Sequence, residues 1–148
     1  MRSVIAFPGS KAWAAPLYRA IWQTRGCKRL VDPMCGSAAS FFALCDVDLI
    51  DPESDSNFPP GAVLLDASMP LVELLAGLRS DPKSVAECAW QILEEFAGSK
   101  GYYLLRDLPP PPVGPDALDF TGSRGAARWL VLNRLCFNGL WRFNASGD

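Results

Sequence analysis

The sequence predicts an α/β fold of the doubly wound, parallel-sheet kind, and three observations predict it. A short apolar strand, Arg29–Asp32, runs into a turn containing Gly36, and a helix follows directly. A second apolar strand, Ala62–Asp66, also ends in an aspartate and also leads into a helix. In such sheets ligands bind beyond the carboxyl ends of the strands, so Asp32 and Asp66 are the first candidate site residues.

Each element has its own local reason. Residues 16–25 read as a helix, with Pro16 in its first turn and Gly26 closing it. The Pro33-Met34-Cys35-Gly36 turn follows the first strand, and Ser37 is placed to cap a helix over Ser37–Cys45. Residues 46–61 are acidic, rich in proline and aperiodic, and read as a loop. After the second strand, Ser68-Met69-Pro70 marks a helix start, and Leu71, Leu74, Leu75 and Leu78 fall on one face. Asp81-Pro82 opens another helix, whose apolar stripe is Val85, Ala89, Ile92, Leu93 and Phe96 and whose end is Gly98. A short helical piece is expected over Tyr102–Leu108, then a stiff loop at Pro109–Pro112. Residues 124–137 form an apolar helix with Arg128, Asn133 and Arg134 as its polar members. The tail Asn138–Asp148 reads as the first strand and turn of a hairpin, and no internal repeat is visible.

Composition bounds the chemistry. The chain has 148 residues, one domain's worth, and 49% of them are hydrophobic, enough for a core. It contains no histidine, which excludes Ser-His-Asp and Cys-His nucleophilic chemistry and imidazole acid–base work. The five cysteines contain no C-x-x-C pair and sit among apolar neighbours, so they read as reduced core thiols, and no metal is expected. No apolar run approaches a membrane span of about 18–20 residues, and the opening MRSVIAFPGSK is too short for a secretory segment. The net charge of −2 hides segregation: +6 over residues 1–31, −11 over 32–120 and +3 over 121–148. The basic ends leave room for polyanion contacts, while the acidic middle is equally explained as a solvated face.

Four segments carry the functional signal. Phe7-Pro8-Gly9-Ser10-Lys11 places an aromatic and a lysine around a turn. In Asp32-Pro33-Met34-Cys35-Gly36-Ser37, a carboxylate and backbone amides converge, and Gly36 lets the backbone approach a ligand; a plain tight turn is the alternative. Asp66 stands where a carboxylate accepts from a ribose diol, or equally where it caps the following helix. Residues 132–144, LNRLCFNGLWRFN, carry a turn pair at Asn138-Gly139 and then project Leu140, Trp141 and Arg142 together. Arginine reads guanine in the major groove, and apolar neighbours wedge into base stacks.

Taken in this order, the four segments resemble the Dam-type adenine-specific DNA methyltransferases. In that family an FxGxK-like element is followed by a DPxCGS loop, a strand ending in an acidic residue, and an LNRxxFNGLxRxN stretch that opens a DNA-recognition hairpin. The resemblance covers most of the chain apart from residues 46–61 and 109–116. It implies a Rossmann-like S-adenosylmethionine-dependent core, present in part, followed by the start of the DNA-recognition region. By this resemblance residues 1–108 are the cofactor-binding domain, and residues 109–148 are the proline loop and the start of the DNA-reading part.

The resemblance also implies site residues. Phe7, Gly9 and Lys11 match the first cofactor-contacting element, and Asp32, Cys35 and Gly36 the loop around the methionine part of S-adenosylmethionine. Asp66 matches the residue that holds the adenosine ribose. Asn138, Leu140 and Arg142 match hairpin residues that enter double-stranded DNA, with Arg142 as the base reader. Other readings are a solvated charge for Lys11, a turn residue for Asn138 and a surface ion pair for Arg142. The implied reaction is methyl transfer to the exocyclic amine of adenine by a DNA-modifying enzyme of the restriction–modification kind. The implied setting is the cytoplasm of a prokaryotic or phage-like system.

One departure matters. The family carries an Asp-Pro-Pro-Tyr motif after the recognition region, where it holds the flipped adenine. Asn57-Phe58-Pro59-Pro60 and Leu108-Pro109-Pro110 are the nearest approaches, and neither has that order. The sequence is therefore expected to be a truncated or split cofactor-binding half, inactive alone and completed by a complementary chain that carries the motif. The alternative is a non-catalytic relic or regulator that binds S-adenosylmethionine, DNA or a protein. A generic dinucleotide-binding domain ranks last, since no G-x-G-x-x-G follows the first strand.

Overall fold

The computed structural model describes residues 5–45, 62–108 and 122–139. The chain divides into two compact units, Met1–Ala67 and Ser68–Asp148. The expected boundary after residue 108 adjoins residues 109–121, which lie outside the described residues. The described residues are mostly helical, with a small parallel sheet of two strands.

In the first unit, a 3-10 turn at Lys11–Ala14 leads into α1 (Ala15–Arg25), which Gly26 ends in the left-handed conformation. Next come β1 (Leu30–Asp32), α2 (Ala39–Cys45) and β2 (Ala62–Leu64). The strands pair in parallel, with Leu30 opposite Ala62, Val31 opposite Val63 and Asp32 opposite Leu64. This is the strand–helix–strand crossover expected of the sequence, which brings the ends of β1 and β2 side by side. Arg19 of α1 donates from Nε to the Ala43 carbonyl of α2 at 2.8 Å, and Ala14, Ala39, Ala43 and Leu44 are buried.

Helix α2 begins two residues later than the sequence suggests. Gly36 and Ala38 both take positive φ, 52° and 54°, so the chain is still turning at Ser37. Ser37 therefore lies inside the turn, where its hydroxyl meets that of Ser10 at 3.1 Å.

The second unit is helical: α3 (Met69–Ser80), α4 (Pro82–Glu95), α5 (Gly98–Asp107) and α6 (Gly122–Leu135). Its core gathers Leu71 and Leu74 of α3, Val85 and Ile92 of α4, Leu105 of α5, and Ala126, Ala127, Val131 and Leu132 of α6. Asp81 caps α4, its carboxylate accepting from the Ser84 amide at 2.9 Å and the Ser84 hydroxyl at 2.6 Å. Leu93 departs from the expected stripe and is 39% exposed. At about 100° per residue, its neighbour Ile92 comes closer to the direction of Val85, and Leu93 swings toward water. Gly98 opens α5 instead of merely ending α4, so the short helix expected over Tyr102–Leu108 starts earlier. Arg128 is buried and donates from Nη2 to the carbonyls of Arg106 (3.3 Å) and Leu108, at the carboxyl end of α5. A cation suits the negative end of a helix dipole.

Candidate functional site

The candidate site forms where β1 and β2 end. The strand pairing continues past both: the Leu65 amide donates to the Asp32 carbonyl at 2.9 Å, and the Cys35 amide donates to the Leu65 carbonyl at 2.9 Å. These two bonds bring the glycine turn against the segment that carries Asp66. The Gly36 amide then donates to Asp66 Oδ2 at 3.0 Å. Asp66 is not the cap of α3, whose N-cap is Ser68. Its carboxylate serves the turn.

Asp32 is 7% exposed and shares its carboxylate among three donors. Oδ1 accepts from Lys11 Nζ at 2.7 Å and from the Met34 amide at 3.3 Å, and Oδ2 accepts from the Ser40 hydroxyl at 2.5 Å. Burial pushes the Asp32 pKa up, but the Lys11 and Ser40 hydrogen bonds, the Lys11 charge and the Met34 amide outweigh it. The net direction is down, so Asp32 is ionised at neutral pH. Cys35 is buried, and burial together with the Asp66 and Asp32 charges raises its pKa, so its thiol stays protonated.

The N-terminal turn closes onto this arrangement through three contacts. Lys11 Nζ donates to the Met34 carbonyl as well as to Asp32. Ser10 meets Ser37, and the Phe7 ring lies over Gly36, where an added Cβ would come within 3.0 Å of Cε1. Gly9 makes the bend, with φ 72°, and the Phe7 carbonyl accepts from the Ser10 amide at 3.2 Å. Lys11 is thus an ion-pair partner within the site, not a charge solvated by itself.

Phe7, Gly9, Lys11, Asp32, Cys35, Gly36 and Asp66 therefore gather in one place. Asn138 lies in a 3-10 turn, Phe137–Gly139, that follows α6. Leu140, Arg142 and the expected hairpin lie outside the described residues. Sequence reasoning missed Ser10 and Ser40. Ser40 stands three residues after Ser37 with two alanines between, and that run of small residues beside a strand end was the available signal.

The residues can be tested against the group that the sequence resemblance implies. One aspartate ends β1 and is neutralised by a lysine, the other lies two residues past β2, and the glycine turn between them carries a Gly36 whose missing Cβ leaves only enough room for an aromatic ring. Carboxylates that accept from hydroxyl or ammonium groups suit a nucleoside joined to an amino acid. The residues fit. Among the described residues no group of three or more His, Cys, Asp or Glu is placed to hold a metal ion. No helix among them is long and apolar enough to cross a membrane.

No family model matches the chain. It is 26% identical over 121 residues to a DNA N-6-adenine-methyltransferase of Escherichia phage P1. That match takes in 82% of this chain and 14% of the phage protein, so the chain spans about a seventh of its relative's length. The chain is thus distantly related to an adenine methyltransferase.

Proposed function

We propose that this chain binds S-adenosylmethionine as the cofactor-binding part of an adenine-specific DNA methyltransferase of the Dam type, with a Rossmann-like arrangement around β1 and β2. The single observation that carries the reading is the pairing of Asp32 and Asp66 around the Gly36 turn, with Lys11 and Phe7 closed over it. The distant relative named DNA N-6-adenine-methyltransferase supports the same class. When bound, S-adenosylmethionine supplies an electrophilic methyl group on a sulfonium.

The chain's own residues hold and orient. Asp66 accepts from the ribose hydroxyls while it keeps the glycine turn in place. Asp32, neutralised on one side by Lys11, and the backbone around Cys35 and Gly36 receive the methionine part. Phe7 and Gly9 bound the site from the N-terminal side. The Asn138, Leu140 and Arg142 stretch contacts double-stranded DNA, with Arg142 reading a base. Positioning of this kind converts an encounter of two molecules into an oriented transfer. The 148 residues hold no Asp-Pro-Pro-Tyr sequence, so the reading assigns cofactor and DNA contacts to this chain and no handling of the adenine amine.

Calorimetric titration with S-adenosylmethionine, beside the Asp66→Ala variant, tests the reading. Saturable binding that Asp66→Ala removes is expected. A folded wild-type chain that takes up no S-adenosylmethionine would overturn it.

A further inference from the structure

Ser40 is a buried hydroxyl that reaches Asp32 from α2, apart from the residues proposed to hold cofactor. It lies in the second residue of α2, is 3% exposed, and donates to Oδ2 of Asp32 at 2.5 Å. The two carboxylate oxygens are thereby divided. Oδ2 belongs to α2, and Oδ1 to the Met34 amide and to Lys11. A carboxylate torsion is a broad, two-fold rotor, so one oxygen must be held if the other is to present a fixed direction. Among the described residues, Ser40 is the donor that holds it.

We propose that Ser40 is a positioning residue of this site: by fixing the Asp32 carboxylate, it fixes where Lys11 closes the N-terminal turn onto the glycine turn. The path is short. Ser40 sets the plane of the Asp32 carboxylate, Oδ1 then sits 2.7 Å from Nζ of Lys11, and Nζ also reaches the Met34 carbonyl inside the turn. A hydroxyl bonded to a carboxylate is a charge-assisted contact, about twice as strong as a neutral one. The alternative bland role, filling space beneath the strand end, needs only the volume of the side chain and not its proton. That difference makes the two roles separable. The charged group on Asp32 is Lys11 from the N-terminal turn, and the Cys35 thiol of the glycine turn feels both Asp32 and Asp66.

The test compares S40A, which removes the donor, with S40T, which keeps it. The first readout needs no ligand: carbon-detected NMR titration of the Asp32 carboxyl in the full chain. S40A is expected to move the titration upward, and S40T to leave it near the wild-type position. The second readout is the dissociation constant for S-adenosylmethionine, which rests on the proposed function. S40A should weaken it on the order of tenfold, the equivalent of one charge-assisted hydrogen bond. An unchanged Asp32 titration in S40A overturns the proposal, whatever the cofactor does. A shifted titration in a chain whose wild type takes up no S-adenosylmethionine upholds the positioning role and overturns the cofactor reading. If S40A loses its fold, S40C keeps the volume with a weaker donor, and the same upward shift is expected.

Discussion

Lys11 Nζ and Asp32 Oδ1 lie 2.7 Å apart and join the N-terminal turn to the end of β1. The lysine side chain is one-third exposed and the aspartate nearly buried, so the pair is unequal. Removing the lysine strands a charge that water cannot readily reach. Lys11→Met is therefore expected to destabilise the chain by about 1–3 kcal/mol in urea unfolding. The Asp32→Asn, Lys11→Met double variant should recover part of that loss, since no buried carboxylate then lacks its cation.

The pH dependence follows from the same carboxylate. The Asp32 pKa is lowered in the folded chain, so its contribution is fully present above the unfolded value, near the ordinary 3.8. That contribution is lost as pH falls through the lowered, folded value. Thermal unfolding followed from pH 6 down to about pH 2 should show the wild type losing stability more steeply than Asp32→Asn in the acid range. Parallel curves for the two proteins would sink the assignment.

Gly36 is expected to resist any side chain. Its φ of 52° is costly for other residues, and a Cβ would stand 3.0 Å from Cε1 of Phe7. Gly36→Ala should lose about 1–2 kcal/mol from the backbone conformation alone. Phe7→Leu in the same chain should relieve the contact with the ring but not the backbone cost. Chemical denaturation of the two single variants and the double variant separates these parts.

In the second unit, Gly77 of α3 faces Ala126 of α6 so closely that an added Cβ would lie 2.4 Å from the Ala126 Cβ. No rotamer can relieve a clash between two Cβ atoms, so the helices must move apart. Gly77→Ala should destabilise by about 1–3 kcal/mol, as overpacked cores do. Ala126→Gly should rescue it in a double-mutant cycle, and additive losses would show that the two sites do not meet.

Much of the secondary structure was legible in the sequence because its signals are local. Pro16, Gly26, Asp81 and the Leu71/Leu74 spacing each speak within one or two turns of helix, and the matching helices are present. The strands were legible as short apolar runs ending in aspartate, although β2 stops at Leu64. What stayed hidden was long-range partnership. Nothing near Asp66 announces that it accepts from Gly36, and a capping role was an equal reading until the geometry set it aside. Ser40 was missed for the same reason, since its partner lies eight residues back across a turn. The late start of α2 reflects two positive φ angles, one at an alanine, where spacing carries no warning.

The Gly36–Asp66 bond spans thirty residues of chain, and the bonds joining Cys35 and Asp32 to Leu65 span at least as many. The glycine turn thus draws its acceptor from the far end of the crossover and cannot be completed by its own neighbourhood. Closing so long a loop must precede the contacts that reward it, which makes such pairings slow to form. A chain growing from the ribosome would hold the turn open until Asp66 had emerged. The site is then completed only after the crossover between β1 and β2 has closed.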